Sequence, residues 1–349
     1  MSRKTCCAFL LVVLLAVIAG SVQARQIIDM AGRKVTVPDR ITKVFAAQPY
    51  TNVLIYMVAP DLMLGLQPGC LPFREQDKRF LRKDILNKPW ISAQGPTPER
   101  GQMNMEAILA MHPDIVIATG GKNMKMDAGR IAAQYDRLHL PLVFVDVDKI
   151  QGYPAAIDFM GRLLHREKRA RQHRDWTKST IAGVAKMVNA IPMNKRVRVY
   201  YAESADGLAT ESDSSFHADA IRLGGANIVH HGDLKTHQGM EKISMEQVLI
   251  YNPDVIITQE PDFKAMAYRD PRWQKISAVK NHRVYVVPRS PFDWVDRPPS
   301  VMRIMGVPWT AYMLYPRQYH MDIRKQIRDF HRLFMGVDVT NADINGWLK

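Results

Sequence analysis

The sequence predicts an α/β protein with two similar α/β lobes, one long backbone helix that joins them, and a ligand cleft between the lobes. A phrase of fifteen residues occurs at 104–118 and again 140 positions later at 244–258, and the two copies align without a gap. Between the copies, residues 152–189 are rich in helix-forming side chains. A long period that occurs only twice indicates two lobes rather than a solenoid.

Each copy of the repeated phrase predicts a helix followed by a buried strand. A glutamate, Glu106 or Glu246, stands on the first helical turn, and a Pro-Asp pair follows the apolar helical residues. Proline ends the helix because it lacks an amide hydrogen and disfavours helical geometry just before it. The β-branched runs 115–117 and 255–257 come next and are typical of strands that are covered on both faces.

The first 24 residues are typical of a signal peptide. Arg3 and Lys4 precede an apolar run, 9–19, that is too short to span a bilayer, and 22–24 is typical of a cleavage site. The predicted mature chain keeps one cysteine, Cys70, so it can form no intrachain disulfide. We therefore expect an exported protein that is stabilised by the size of its core.

Composition and charge are those of a soluble globular protein. The 349 residues are 47% hydrophobic and 23% charged, and the formal net charge is +14 before Arg3 and Lys4 are removed. The positive charge favours an anionic ligand or surface, although evenly spread solvated lysines and arginines explain it equally well. Nucleic acid is not expected as a partner, because an exported protein rarely meets any.

The predicted elements of the first lobe follow in order. A hairpin at 27–38 turns at 31–32, and a core strand at 41–47 leads through a polar loop into a helix at 52–58. A short strand at 62–66 precedes an irregular insertion, 67–100. After the first copy of the phrase come a helix at 128–138 and a buried strand at 142–146.

The rest of the chain predicts the connector and a second set of the same elements. The backbone helix over 152–189 would be roughly 50 Å long, and a bend at its start stays open. The second lobe combines strands at 197–202 and 284–287 with helices at 215–223 and 300–314, and another helix lies at 323–334. We therefore divide the chain into a signal peptide 1–24, an N-terminal lobe 25–150, the backbone helix 151–190, a C-terminal lobe 191–315 and C-terminal helices 316–349.

Four features in this order resemble the periplasmic solute-binding proteins of the helical-backbone type, which serve ABC importers for ferric siderophores, haem and cobalamin. They are the hairpin 29–38, the two phrases, Gly224-Gly-Ala-Asn227 and the central helix. The resemblance covers residues 25–340. It implies a periplasmic protein, expected to be a monomer, that meets an ABC permease dimer in the inner membrane.

The resemblance also implies a role for the repeated glutamates. In that family a glutamate on each lobe docks on arginines of the permease, and the motif match gives Glu106 and Glu246 here. One fixed negative charge on each lobe suits a dimeric partner. The alternative is that both are helix-start carboxylates, which the helix dipole favours, with no further role.

Candidate ligand contacts lie on loops at strand ends. They are Gln48 and Tyr50 after the first strand, Tyr201 and Glu203 at the end of another, Trp294 and Arg297 after the last core strand, and Trp90 in the insertion. Aromatic rings offer flat apolar contact to the organic shell of a chelate, and Arg297 can pair with an anion. For Tyr50, Tyr201 and Trp294 the alternative is ordinary packing.

Histidines are concentrated in one stretch of the second half. His231 and His237, with His230, lie close enough in the sequence to complete a metal's coordination sphere, since imidazole is a common ligand of transition metals. Their spacing matches no compact metal motif. Solvated loop histidines therefore remain the alternative to metal contact.

These observations predict the capture of a metal-bearing small molecule and its delivery to the permease. A ferric siderophore or similar iron chelate is the first expectation, and a nickel complex, cobalamin, haem or a molybdate-type oxyanion stays open. We expect no cofactor other than the metal of the ligand. We also expect no enzyme, because no nucleophile has an orienting base in the sequence, although an exported hydrolase and an adhesive protein are the alternatives of other classes.

Overall fold

The computed structural model describes residues 23–67, 75–89, 91, 105–120, 128–233, 239–297 and 299–349. The predicted signal peptide, apart from its last two residues, lies outside this part of the chain. Strand β1 (Ala24–Ile28) begins at the last residue of the predicted leader, where Ala24 pairs with Pro38. Within the residues that the structure describes, no helix has the length and apolar character that crossing a bilayer requires.

The first lobe is a three-stranded parallel sheet preceded by a hairpin. The hairpin pairs β1 with β2 (Lys34–Pro38), and Gly32 turns it with a φ of +82°, as predicted. The sheet has the order β3-β4-β5, in which every strand is buried: β3 (Val44–Ala46), β4 (Ile115–Thr119) and β5 (Leu142–Val145). The helices are α1 (Thr51–Val58), α2 (Lys83–Leu86), α3 (Met105–Ala110) and α4 (Ala128–Asp136).

The strand predicted at 62–66 does not form. Only Met63 pairs with β3, as an isolated bridge to Val44. A short 3-10 turn over Pro60–Leu62 precedes it and uses residues that the strand would have needed.

Two packed helices replace the single connector helix that the sequence predicts. Helix α5 (Tyr153–Leu163) ends at a bend where His165 has a φ of +53°, and α6 (Glu167–Asn189) then runs for 23 residues, roughly 35 Å. Gly161 lets the two helices meet, because a β-carbon there would lie 2.4 Å from the β-carbon of Ala170. A long helix between the lobes is therefore confirmed, and the expectation that it starts at 152 is wrong.

The second lobe repeats the plan of the first with one more strand. Its parallel sheet has the order β11-β10-β6-β8, formed by β6 (Arg198–Ala202), β8 (Asn227–Ile228), β10 (Val255–Thr258) and β11 (Val284–Val286). A small antiparallel pair joins β7 (Ala209–Thr210) and β9 (Glu241–Lys242). The helices are α7 (Asp219–Leu223), α8 (Met245–Tyr251), α9 (Pro261–Ala267), α10 (Ser277–Lys280) and α11 (Arg303–Leu314).

Both copies of the repeated phrase fold alike. The residue after each helix adopts left-handed geometry, with φ values of +49° at His112 and +36° at Asn252, so the helix has already ended before the proline. The following strand, β4 or β10, lies inside its parallel sheet with a neighbour on each side. The predicted pair of similar lobes is therefore confirmed.

The C-terminal segment returns to the first lobe. It consists of α12 (Ile323–Phe330), a π-helical turn over His331–Met335, and α13 (Asn341–Trp347). The Tyr56 hydroxyl of α1 donates a hydrogen bond to the Met335 carbonyl, and Arg79 forms an ion pair with Asp343. One large apolar core therefore includes residues of both lobes and of this segment.

Candidate ligand-binding cleft

A small cavity lies between the two lobes, beyond the carboxyl ends of β3 and β5. It has a volume of about 20 Å³, and its lining residues are Tyr50, Val147, Asp148, Tyr153, Phe216, Pro299 and Arg303. Ligands of open α/β sheets bind beyond the carboxyl ends of the strands. This space, which suits a molecule on the scale of water, is therefore the candidate site.

Arg303 is the cationic side chain of this cavity and reaches both lobes. Its Nη1 donates to the Asp148 carbonyl at 3.3 Å, and its Nη2 donates to the Phe216 carbonyl at 2.6 Å. The side chain is 1% exposed, and Nη2 is 3.7 Å from the Asp219 carboxylate. Among the described residues, its Nε–H has no hydrogen-bond acceptor. The guanidinium therefore has donor capacity left for a ligand.

Tyr50 supplies a hydroxyl to the same cavity, as the sequence predicts for a site residue. Burial raises the pKa of this hydroxyl above its ordinary value, and a hydrogen bond with Thr119 opposes the rise. The hydroxyl therefore stays protonated at neutral pH and can donate a hydrogen bond.

Gln48 has a structural task next to Tyr50. Its Oε1 accepts hydrogen bonds from the Thr51 hydroxyl at 2.9 Å and from the Thr119 amide at 3.1 Å. These bonds tie the ends of β3 and β4 to the start of α1. Gln48 thus holds the loop that carries Tyr50, and direct ligand contact by Gln48 stays a prediction.

Two predicted aromatic contacts belong to the core. Tyr201 and Trp294 are both 0% exposed. The Tyr201 hydroxyl accepts a hydrogen bond from Gln259, and the Trp294 indole N–H donates to the Ser290 carbonyl at 3.2 Å. Neither ring is exposed in this structure, which argues against direct ligand contact by either side chain.

Arg297 and Glu203, also predicted to contact the ligand, bind each other. Arg297 donates from Nε to Glu203 Oε1 and from Nη2 to Glu211 Oε1, at 2.6 Å in both cases. Its Nε also lies 3.5 Å from the Asp296 carboxylate. The guanidinium charge of Arg297 is therefore matched by acidic side chains of the protein.

The carboxylates around Arg297 are deeply buried. Glu203 is 2% exposed, and Glu211 and Asp296 are 0% exposed. Asp296 Oδ2 lies 2.6 Å from the His217 ring, while Glu211 accepts from the Ser215 hydroxyl at 2.7 Å and from the Met240 amide at 2.8 Å. Burial raises the pKa of Glu203 to about 8, with Arg297 opposing and Glu211 adding to the rise.

The loop histidines do not form a metal site within the part of the chain that the structure describes. His231 is exposed and its Nδ1 lies 2.8 Å from the Asp213 carboxylate, while His230 lies 2.9 Å from the Tyr251 hydroxyl. No three acidic, histidine or cysteine side chains of the described residues converge on one point. His237 lies outside these residues, as does Trp90 of the predicted ligand contacts.

The two repeated glutamates are at the surface. Glu106 and Glu246 are exposed in the first turns of α3 and α8. A backbone N–H in the first turn of the helix and the Ser244 side chain lower the pKa of Glu246. Each helix connects through a short loop to a parallel strand, so its first turn lies at the carboxyl edge of the sheet, the edge that borders the cleft. Both carboxylates are therefore free to meet a partner on the cleft side.

Arg303 and Phe216 are the main features that the sequence reading missed. A signal for Arg303 was present, since it stands alone in the apolar run Val301-Met-Arg-Ile-Met-Gly-Val307. A charged side chain in such a run is rarely buried without a polar task. Phe216 carries no such signal, because a phenylalanine near a helix start is equally typical of core.

Fold and cleft together define a two-lobed binding protein that encloses a small ligand between α/β lobes. The family profile described as periplasmic binding protein matches residues 81–291. A solved solute-binding protein of an ABC transporter from Sulfurospirillum deleyianum is 33% identical, covers 93% of this chain and 98% of its own, and superposes with a TM-score of 0.82. The chain belongs to this family, in the helical-backbone class.

A second relative has a named ligand. The molybdate-binding protein MolA of Haemophilus influenzae is 25% identical over 94% of this chain and 95% of its own length. The structure of MolA bound to molybdate covers 90% of this chain and 99% of its own, with 22% identity and a TM-score of 0.69, which shows the shared fold. Because family members are transport components without catalytic activity, the protein is the substrate-binding component of an ABC transporter.

Proposed function

We propose that the protein captures a small tetrahedral oxyanion of the molybdate type in the interlobe cleft and delivers it to its permease in the inner membrane, docking through Glu106 and Glu246. The observation that carries the proposal is Arg303, a buried cation in the cleft whose Nε–H lacks an acceptor among the described residues. A buried donor without an acceptor costs about 1–3 kcal/mol, and an oxyanion removes that cost. The charge-assisted bond adds to the gain.

The size of the cavity favours an oxyanion over an organic chelate. Pockets for organic ligands of drug size usually enclose roughly 300–1,000 Å³, whereas this cavity has about 20 Å³. A four-oxygen anion needs only a small movement of side chains, while a ferric siderophore needs the lobes to separate. The two aromatic rings that favoured an organic shell, Tyr201 and Trp294, are also buried.

In this proposal the metal is part of the transported oxyanion. A ferric siderophore or similar iron chelate, the first expectation from the sequence, thereby becomes the competing ligand, together with the nickel complex, cobalamin and haem. The similarity to MolA supports the oxyanion, since the chain aligns with nearly the whole of that protein. The positive formal charge of the chain, +14, acts in the same direction.

Calorimetric titration of the purified protein tests the proposal. Molybdate and tungstate are expected to bind at one site per chain, whereas sulfate should bind more weakly because it is smaller. A ferric siderophore, nickel–histidine, haemin and cobalamin form the comparison set. Tight binding of any of these with no response to molybdate would overturn the oxyanion assignment while leaving the transport role in place.

The same titration with two variants tests whether molybdate binds in the cavity lined by Arg303 and Tyr50. Arg303→Gln removes the charge and is expected to weaken molybdate binding by at least about tenfold, the effect of losing one charge-assisted hydrogen bond of roughly 1.5–3 kcal/mol. Tyr50→Phe removes one hydroxyl and should weaken binding by a smaller factor without disturbing the fold. Arg269→Gln, which alters a cation on the outer face of the second lobe, is the control and should bind as the unmodified protein does.

A further inference from the structure

In the second lobe, next to the cleft, buried carboxylates outnumber the cationic side chains that face them. Glu203, Glu211 and Asp296 are together opposed by the guanidinium of Arg297 and the imidazole of His217. Counted over the residues that the structure describes, even a doubly protonated His217 leaves one negative charge in excess. An unpaired charge at this depth is costly, so the cluster holds a proton in its place.

Two of the carboxylates are placed to hold that proton jointly. Glu203 and Glu211 take the two ends of the same guanidinium, each at 2.6 Å. Two carboxylates close together in a buried site favour one shared proton over two charges, and Glu211 contributes to the raised pKa of Glu203. The Ser215 hydroxyl and the Met240 amide fix Glu211 as an acceptor. Glu203 is therefore the more readily protonated partner.

The cluster is connected to the cavity by a short chain of contacts. The Phe216 side chain lines the cavity, and its ring centroid lies 3.9 Å from that of His217. His217 Nδ1 lies 2.6 Å from Asp296, and Asp296 lies 3.5 Å from the Nε of Arg297. His217 and Asp296 are buried and Phe216 is half-buried, so charges in the cavity and in the cluster act on each other without full screening by solvent.

We propose that a proton shared by Glu203 and Glu211 is a second ligand of the cleft, and that the proton and the oxyanion each strengthen the binding of the other. The inference rests on the proposed function. A proton on Glu203 or Glu211 removes one negative charge from the cluster that adjoins the cavity. Repulsion of an anion bound in the cavity is then smaller. Linkage makes the effect mutual, so the bound anion raises the proton affinity of the pair by the same factor.

The direction of the pH effect follows from the groups that face Glu203. These are Arg297 on the loop after β11, Glu211 after β7, and Tyr200 and Tyr201 on β6. Asp296 lies against Arg297, and His217 lies against Asp296. Burial raises the pKa of Glu203 to about 8, so the proton is present at neutral pH and leaves above it. Because the anion raises that pKa further, affinity for the anion is highest at lower pH and falls as the pH rises through about 8.

Calorimetry of molybdate binding from about pH 6.5 to about pH 9.5 tests the coupling. Molybdate keeps its double negative charge over this range, so a slope belongs to the protein. We expect at least about fivefold weaker binding at the alkaline end, the lower limit of common coupling energies. Repeating the titration in buffers of different ionisation enthalpy counts the protons, and fractional proton uptake is expected to be largest at and just above about pH 8, where Glu203 titrates, and small near neutral pH.

The variant Glu203→Gln separates the coupling from a general loss of structure. The amide imitates the protonated carboxyl, so this variant should bind molybdate with no slope and more tightly than the unmodified protein at the alkaline end. A misfolded variant cannot bind more tightly. Glu211→Gln should flatten the slope as well, while Asp262→Asn, an exposed carboxylate on α9, should keep the slope of the unmodified protein.

The outcomes distinguish this inference from the function on which it rests. Molybdate binding with a flat pH profile, or a slope that survives in Glu203→Gln, overturns the shared proton and leaves the oxyanion function standing. Absence of oxyanion binding at every pH overturns both.

Discussion

At the scale of single residues, Gly306 sets the approach between α11 and the loop that carries Trp294 and Arg297. A β-carbon at Gly306 would lie 1.9 Å from the Trp294 carbonyl oxygen, far inside any real contact. Only glycine allows the helix that starts with Arg303 to pack so closely on this loop. The position of the cleft cation therefore depends on a residue that touches no ligand.

Replacement of Gly306 by alanine is accordingly expected to destabilise the protein by at least about 2 kcal/mol, because the neighbouring atom is backbone and cannot rotate away. Gly346→Ala is the matched control, since nothing lies within 4 Å of a β-carbon there and α13 should gain roughly 0.5–1 kcal/mol. Urea unfolding followed by circular dichroism measures both. Equal stability of the Gly306→Ala variant and the unmodified protein would contradict the close approach.

The residues of the cleft were only partly predictable from the sequence. Tyr50, which lines the cavity, follows a predicted core strand, a position that a local pattern reveals. Tyr201 and Trp294 occupy similar positions, yet their rings point into the core, and the side of a loop to which a ring turns depends on tertiary packing. Arg303 was missed because the polar atoms it meets belong to backbone carbonyls of Asp148 and Phe216, which are far from it in the sequence.

At the scale of elements, the aspartate of each Pro-Asp pair fastens the helix–strand unit to the neighbouring strand. Asp114 accepts hydrogen bonds from the amides of Thr42 and Lys43, at 2.6 and 2.8 Å, and a further one from the Thr42 hydroxyl at 2.9 Å. Asp254 accepts from the Arg198 amide at 3.0 Å. The same residue of the repeat thus anchors the start of β3 in one lobe and the start of β6 in the other.

Removal of these anchors should affect the two lobes unequally. Asp114→Ala is expected to cost about 1–3 kcal/mol, because it leaves three donors without their acceptor, and Asp254→Ala should cost less, about 0.5–1.5 kcal/mol. The free energy of unfolding from urea titration is the measurement. A larger loss for Asp254→Ala than for Asp114→Ala would contradict the role assigned to the extra bonds.

The elements themselves were largely predictable, with clear physical reasons for the exceptions. Helix α1 and strands β4, β5, β6 and β10 lie where their patterns place them, since buried β-branched runs and helix periodicity are local signals. A bend at the start of the connector was left open by the sequence, but the complete break between α5 and α6 and its position were not predictable. The break depends on His165 in left-handed geometry and on the close contact of Gly161 with Ala170, and neither is marked by proline.

At the scale of the whole molecule, the C-terminal segment holds the lobes together. It follows the second lobe in the sequence but bonds to Tyr56 and pairs with Arg79 of the first. Direct contact is added by Ser290, whose hydroxyl donates to Asp77 at 2.7 Å. These ties, with the packed pair α5 and α6, favour small movements of the lobes on binding, as the stiff connector had suggested. Contacts between residues so distant in the chain leave no local pattern, which is why the sequence placed this segment apart.

Glu106 and Glu246 lie on different lobes, so the distance between them depends on how the lobes are held together. The proposed docking on the permease therefore depends on the whole molecule. Replacing both glutamates by arginine should abolish transport, because a dimeric permease then meets two positive charges where complementarity needs negative ones. The ligand affinity should stay unchanged, since neither side chain lines the cavity. Uptake of radiolabelled molybdate in cells and calorimetry of the purified variant measure the two quantities separately.

The matched control replaces two other exposed carboxylates, Glu75 and Asp338, by arginine. Their side chains are 85% and 80% exposed, and this control variant should transport normally. Loss of ligand affinity in the Glu106→Arg and Glu246→Arg variant, or full uptake despite it, would remove the docking role from the repeated phrase.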